Sequence, residues 1–467
     1  MKILLVNPPV PNINRVYEYA DEEGRKAMSN RVLVGPPLAL NTLAGMLPDE
    51  DIIILDQKTE LDQDPNYNYV EALIKEITDF KPDIVSFTVL TSQFNNTVNL
   101  LEIVKKIDSE ILTTVGGIHA TLCTKDFTGS KADIIAIGLG KASFYDIVQE
   151  YKNNKDNADY SKIPGLALNR GNSLYYTKAL KNLSYGEVSK NLLFDNVLPN
   201  RKLTDKYNYK IPYLNKKIHY ISTSQGCTNK CNFCSLWPMT DGRYFHREVE
   251  SIISELKLMD EYPIIRFCDS NTLGDVKKAT LLFNRIIEEG LNHHFYMADV
   301  RTDTVVKYPE LIQLAAKAGV TITICGLEAT TNEELEKYGK ENTIELIQEG
   351  LKILNQSGIL VNGNYIIRPD YDERNFERVG LFIENNPIFN SCCTILTPFP
   401  GTQQWVELQD QIVIKNLDYY NLTNAVTRTK LPEREFYRQL TEIYKTCGKS
   451  AATYHSIYGD LREKIKL

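Results

Sequence analysis

The sequence has no surplus of basic charge. Its 53 lysines and arginines are outnumbered by 60 aspartates and glutamates, giving a formal net charge of -7. No positive field is available to draw in a nucleic acid, and none is expected as substrate. It also has no long apolar run. The opening Met1-Lys2-Ile3-Leu4-Leu5-Val6-Asn7 is stopped by Pro8 and Pro9, without the small-residue cleavage site of an export signal. Nothing further along is long enough to span a bilayer, so a cytoplasmic location with no transmembrane segment is expected. Repeats and low-complexity tracts are absent too, the nearest approach being the polar loop Asn153-Asn154-Lys155-Asp156-Asn157. Composition argues against extended disorder, because 43% hydrophobic and 24% charged residues are ordinary values for a globular protein. At 467 residues, two or three domains are expected.

What the sequence does have is nine cysteines. In a chain without export they are expected to be reduced thiols, so clustered ones read as metal ligands or catalysts. Cys123, Cys268, Cys325, Cys447 and the adjacent Cys392 and Cys393 are scattered and read as small core residues. The tight cluster is Gly226-Cys227-Thr228-Asn229-Lys230-Cys231-Asn232-Phe233-Cys234, directly after a strand at His219–Thr223. Spacings of four and three let Cys227, Cys231 and Cys234 wrap one compact loop around a 4Fe–4S cube. The fourth iron then has no local protein ligand and stays open to the amino and carboxylate groups of a small molecule. Structural zinc is the alternative. It normally takes a fourth cysteine or histidine at similar short spacing, and the nearest later candidate, His246, lies outside the loop.

The first 150 residues alternate strands and helices. Strand runs at Lys2–Val6, Ile52–Asp56, Ile84–Thr88, Ile111–Val115 and Ile134–Ile137 are separated by helical spacing at Pro37–Met46, Tyr69–Phe80 and about Asn95–Asp108, with another helix from about Ala142. This pattern predicts a Rossmann-like, doubly wound, mostly parallel sheet with helices on both faces and a ligand at the carboxyl ends of the strands. Those ends collect small and hydroxyl residues: Thr88-Val89-Leu90-Thr91-Ser92, Gly116-Gly117-Ile118-His119-Ala120-Thr121 and Gly138-Leu139-Gly140. Glycines allow close backbone approach to a large ligand and hydroxyls add hydrogen bonds without charge. They suit ordinary βα turns equally well, and His119 alone reads as a hydrogen-bonded turn residue.

Residues 151–216 are polar and irregular, with Pro164, Pro199 and Pro212, and read as an inter-domain linker. Residues 217–402 then repeat strand and helix. After the cysteine loop come Pro263–Phe267, Phe295–Asp299, Thr321–Ile324, Leu360–Ile367 and Cys393–Leu396, each followed by a polar or turn-forming segment. Such a series predicts a partial TIM-type (β/α)6 barrel with its site at the carboxyl ends. Residues 403–467 form an α-rich extension in which Trp405, Tyr419, Tyr420, Phe436 and Tyr437 either pack or close the barrel mouth.

Taken together, Asn7-Pro8-Pro9, Pro36-Pro37-Leu38-Ala39-Leu40, Leu90-Thr91-Ser92 and Gly116-Gly117-Ile118-His119-Ala120-Thr121 resemble the cobalamin-binding domain found upstream of many radical S-adenosylmethionine (SAM) enzymes. The cysteine loop, with Phe233 before its last cysteine, resembles the signature of those enzymes, and the likeness extends to the methylase branch through Pro398–Thr402 and Thr429–Tyr437. This resemblance implies cobalamin against Thr91, Ser92, Gly116, Gly117, His119 and Gly138, and SAM against Phe233, Asp269, Ser270, Arg301, Gly326 and Glu328. No Asp-x-His-x-x-Gly motif occurs, so cobalt is expected without a histidine from this domain. Two departures stand out: Gly138-Leu139-Gly140-Lys141 where relatives usually carry Gly-Glu-Gly-Glu, and Arg368-Pro369-Asp370 where they often carry Gly-x-Pro.

The activity implied by the resemblance is cleavage of SAM to a 5′-deoxyadenosyl radical and cobalamin-dependent methylation of an unactivated carbon. A reductant such as flavodoxin or ferredoxin is implied, with a small-molecule, lipid or peptide substrate. A non-methylating radical reaction such as dehydration, epimerisation or rearrangement is the second reading. A non-catalytic cobalamin sensor or scaffold is the third.

Overall fold

A computed structural model describes residues 1–29, 35–180, 197–211 and 215–459. The first sheet is built on β1 (Lys2–Asn7), β2 (Asp51–Asp56), β3 (Ile84–Thr88), β4 (Leu112–Gly116) and β5 (Ile134–Ala136), paired in parallel in the order β2-β1-β3-β4-β5. Ile3, Leu4, Leu5 and Val6 are all fully buried, as a strand covered on both faces requires. On one face, Leu40, Ala44, Phe144 and Val148 from helices Leu38–Gly45 and Lys141–Asn154 pack on Ile3 and Leu5. On the other, Leu73, Ile77, Leu100 and Val104 from helices Tyr69–Phe80 and Phe94–Ile107 pack on Leu4 and Val6. Because β1 lies between β2 and β3, the connections diverge there and leave a crevice at the carboxyl ends.

Part of the segment read as a linker is built into its neighbours. β6 (Leu166–Asn169) and β7 (Leu174–Tyr176) extend the first sheet as antiparallel strands. Tyr207 takes the amide N–H of Asp56 at 2.8 Å, and Tyr209 donates to the Asp56 carboxylate at 2.8 Å. β8 (Lys210–Ile211) pairs antiparallel with the first strand of the second sheet. Residues 181–196 and 212–214 of this segment, Pro212 included, lie outside the described residues.

The second sheet contains β9 (Lys216–Ile221), β12 (Ile264–Phe267), β13 (Phe295–Val300), β14 (Val320–Glu328), β15 (Leu360–Ile367) and β16 (Asn390–Ile395), all parallel and neighbouring in that order. This is the six-stranded partial barrel expected from the sequence. β10 (Ser224–Gly226) and β11 (Tyr244–His246) form a separate antiparallel ribbon, and the chain between them carries the three cysteines. Tyr209, Ile218, Ile264, Met297, Ile322, Leu360 and Tyr454 fill the interior near the amino ends of the strands. The long helix Glu433–Tyr458 packs Phe436, Leu440 and Ile443 into the same core as Phe376, Val379 and Ile383. Tyr420, Phe436 and Tyr437 are fully buried, so they serve as packing and not as a mobile cover. Among the described residues no helix is long and apolar enough to cross a membrane.

Candidate active site

The carboxyl ends of the two sheets face each other across one cavity of about 430 Å3. Thr88, Gly116, Gly117, Gly138 and Gly140 line it from the first domain; Ser222, Gln225, Cys268 and Ser270 line it from the barrel. It runs down between the helices that carry Leu38 and Phe144 and reaches Ile147. Gly117 has φ +102, and a Cβ there would sit 2.9 Å from the Val89 backbone nitrogen. Gly138 has φ +87 and donates its N–H to Thr121 Oγ1 at 2.9 Å. Side chains on this rim would therefore be strained or would fill the cradle.

Three of the six residues assigned to cobalamin line this cavity. Thr91 and Ser92 do not, being buried in the short turn Thr91–Gln93. His119 points elsewhere: its ring lies against Phe94 and Phe127 at centroid distances of 4.7 and 6.0 Å. Among the described residues no histidine lines the cavity, in line with the missing Asp-x-His-x-x-Gly motif. A long, largely apolar cleft with a glycine rim, a few hydroxyls and no imidazole fits a large neutral macrocycle with no protein histidine on its metal.

The cysteine loop is held from several directions. Gly226 enters it at φ +85, where a Cβ would meet the Arg243 carbonyl at 2.1 Å. The Cys231 carbonyl accepts from the Cys234 amide at 3.1 Å and from the Trp237 indole at 3.0 Å. Asn232 donates its amide to Tyr338 O at 3.1 Å and its side chain to Lys337 O at 2.8 Å. Phe233 packs edge-on against Tyr338 at 5.3 Å, so the aromatic before the last cysteine pins the loop to the segment after β14. N–H groups already point at sulfur, from Leu236 to Cys234 at 3.4 Å and from Asn229 to Cys227 at 3.6 Å.

Burial pushes the Cys231 thiol up and the Cys234 thiol to about 11, whereas a coordinated thiol is deprotonated outright. Three thiols on one short loop, with no fourth cysteine or histidine at similar spacing in the sequence, suit three irons of a cube better than a tetrahedral zinc.

Around the loop lies a set of charges. Glu328 ends β14 at φ +64, and its carboxylate accepts from Lys340 Nζ at 2.8 Å while Lys340 also donates to the Gly326 carbonyl. A Cβ on Gly326 would stand 2.2 Å from the Glu328 carboxylate and 2.9 Å from Lys340 Nζ, so glycine is what allows this pair to form. Lys340, Glu328 and Arg301 all act electrostatically on Cys231. Arg301 itself is held by Asp303 at 2.7 Å and by the Glu341 carbonyl at 2.9 Å. Lys340 escaped the sequence reading. The Tyr338-Gly339-Lys340 turn marks a helix end, and nothing local says that its amine returns to β14.

Asp269 and Ser270, adjacent in sequence, do different things. The buried Asp269 accepts from the Thr223 and Ser224 amides at 2.8 and 2.9 Å and from the Thr223 hydroxyl at 2.5 Å, which makes it a brace between the ends of β9 and β12. Ser270 faces the cavity. Deeper in the barrel Arg266 pairs with Asp299 at 3.1 Å and lies 5.7 Å from the Tyr220 ring centroid. Burial pushes Asp299 up to about 6 against the pull of Arg266. Gly35 packs so closely on Tyr220 that a Cβ would fall 1.9 Å from its hydroxyl, bringing the first domain to the barrel wall. Arg368 and Asp370, at the second departure, form their own pair at 2.7 Å.

Two family models match the chain. A B12 binding domain model matches residues 24–148, and a Radical SAM superfamily model matches residues 221–383. The hopanoid C-3 methylase of Methylococcus capsulatus is 25% identical over 92% of this chain and 79% of its own length. An uncharacterized methyltransferase of Pyrococcus horikoshii is 30% identical over 87% of this chain and 82% of its own. In structure, the radical S-adenosylmethionine methyltransferase TsrM of Kitasatospora setae, solved with cobalamin and a 4Fe–4S cluster, superposes with a TM-score of 0.65 at 17% identity. It covers 88% of this chain and 75% of that one, a likeness of fold.

Proposed function

The chain belongs to the radical SAM enzymes that carry an N-terminal B12 binding domain, and on that premise we propose that it methylates an unactivated carbon of a substrate held at the barrel mouth. The observation that carries this reading is the shared cavity: the glycine rim of the first domain and the Ser222, Gln225, Cys268 and Ser270 rim of the barrel line the same space. With a cluster, SAM and cobalamin bound, the chemistry available is homolytic cleavage of SAM and delivery of a methyl group.

The chain's own part is placement. Cys227, Cys231 and Cys234 hold the cluster. Glu328, fixed by Lys340 and by the absence of a side chain at Gly326, offers a carboxylate to the ammonium or ribose of SAM beside the cluster. Ser270 contributes a hydroxyl on the cavity side, while Arg301 lends positive charge near Cys231 from its clamp on Asp303. Asp269 keeps the ends of β9 and β12 in register through Thr223 and Ser224. Gly116, Gly117 and Gly138 let the corrin approach the first sheet. Leu236 and Met239 line the cavity from the barrel side, and apolar walls keep water from a reactive carbon.

Beyond this, the reaction requires a reductant and an organic substrate; a flavodoxin or ferredoxin suits the first role. The test is anaerobic turnover of reconstituted protein with SAM, hydroxocobalamin and a low-potential reductant, followed by mass spectrometry. Deoxyadenosine, together with methyl transfer to cobalamin and a product larger by one methyl group in place of hydrogen, is the expected outcome. Deoxyadenosine with a product that gains no methyl group would replace this reading with a non-methylating radical reaction.

A further inference from the structure

The turn that follows β4 carries three side chains for which the methylation chemistry has no use. Helix Ile118–Leu122 and the short turn Thr124–Phe127 bring His119, Cys123 and Asp126 onto one side, with an imidazole nitrogen, the thiol sulfur and a carboxylate oxygen all within 4.8 Å of one another. His119 is 1% exposed. Its Nδ1 stands 3.4 Å from Thr91 Oγ1; its Nε2 stands 3.3 Å from the Asp126 carboxylate yet makes no hydrogen bond. In the tautomer with its proton on Nδ1, toward Thr91, the ring keeps an Nε2 lone pair beside the Asp126 carboxylate. This is the arrangement by which an outer partner orients a metal-binding histidine. A plain histidine–aspartate ion pair would account for two of the three groups and give Cys123 nothing to do.

Imidazole, thiolate and carboxylate together form a borderline-soft donor set. It suits zinc, whereas calcium and magnesium take oxygen ligands. Three protein ligands leave a fourth tetrahedral position. Cys123 and Asp126 also line a second cavity of about 830 Å3, bounded on its far side by Trp405, Asp410 and Lys415, which gives that position access to water. The same turn touches both halves of the molecule. Ile118 lines the interdomain cavity, and Leu122 packs so tightly on Gly401 that a Cβ there would lie 2.6 Å from its own.

We propose that His119, Cys123 and Asp126 bind one zinc-class divalent cation, completed by water, which fixes the turn between the cobalamin rim and the segment after the last barrel strand. Full-length protein carrying its iron–sulfur cluster is dialysed anaerobically against zinc, and zinc and iron are counted per chain. One zinc is expected in the unaltered chain and in the variant with serine at Cys227, Cys231 and Cys234. Cys123→Ser and Asp126→Asn should each weaken zinc binding roughly tenfold or more with iron content unchanged. A measurement on the unaltered chain guards against misfolded variants: zinc, and not magnesium, should slow iodoacetamide labelling of Cys123 roughly tenfold or more, read by peptide mass spectrometry. Zinc that persists in Cys123→Ser, zinc that departs with the cluster cysteines, or labelling of Cys123 indifferent to zinc overturns the proposal and leaves an ordinary ion pair.

Discussion

The surroundings of the cysteine loop and the rim of the first domain are built from opposite materials. Around the loop and the barrel strand ends, outside the cavity wall itself, charge is abundant and already paired: Arg301 with Asp303, Lys340 with Glu328, Arg368 with Asp370 and Arg266 with Asp299. The facing rim of the first domain is chiefly backbone and hydroxyl, with Thr88, Gly116, Gly117, Gly138 and Gly140 on the cavity wall. A zwitterionic sulfonium such as SAM is recognised by groups fixed in advance, because preorganised charge needs no rearrangement when the ligand arrives. A bulky neutral macrocycle needs room and close backbone approach instead. Each rim should therefore fail in its own way, and damage to one should leave the ligand of the other in place.

The largest effect is expected at the cluster. Replacing Cys227, Cys231 and Cys234 together by serine should reduce iron to background and abolish deoxyadenosine formation, while cobalamin binding, followed by absorption, persists. Loss of both would mean that the rims do not fail separately. Next comes the buried pair. Lys340→Met strands Glu328 and should cost about 3–5 kcal/mol of stability, measured by urea unfolding. Lys340→Arg should recover much of that and raise the KM for SAM.

On the other rim, Gly138→Val forces a branched side chain into φ +87, at about 1–2 kcal/mol of strain. Cobalamin affinity should fall roughly tenfold or more, with iron content and deoxyadenosine formation unchanged. An equal loss of deoxyadenosine would merge the two rims into one site.

A further effect is a pH slope. Asp299, held up to about 6 by burial, binds more protons in the folded chain than in the unfolded chain between its ordinary value and 6. Stability should therefore fall as pH rises through that window, by up to about 3 kcal/mol at 1.36 kcal/mol per unit. Above it the loss is complete. Asp299→Asn should remove the slope, as seen in unfolding midpoints between pH 4 and 7; an unchanged slope would place the titration elsewhere.

How far the sequence reveals these rims depends on how local each one is. The three-cysteine loop and the glycine turns are short-range patterns, so Cys227, Cys231, Cys234, Gly116, Gly117 and Gly138 could be located by spacing and strand alternation. Helix Tyr69–Phe80 and the six parallel barrel strands follow equally from periodicity. What escapes is long-range. β6 and β7 are short and lie at the sheet edge within a polar stretch rich in Asn, Lys and Tyr, so they carry no sustained alternation. Lys340 reaches Glu328 across a loop, and Asp269 looks like a ligand until Thr223 and Ser224 are seen to occupy it. His119 sits in a motif beside the rim, yet helix geometry turns its ring away from the cavity toward Phe94 and Asp126.

One cavity shared by two unlike rims is best tested by an anaerobic crystal structure of the chain reconstituted with iron, sulfide and hydroxocobalamin. The expected density is a corrin between Gly116, Gly138 and Ser222, with no histidine nitrogen on cobalt and a 4Fe–4S cube on Cys227, Cys231 and Cys234. Cobalamin bound elsewhere, or a histidine on its metal, would contradict the account.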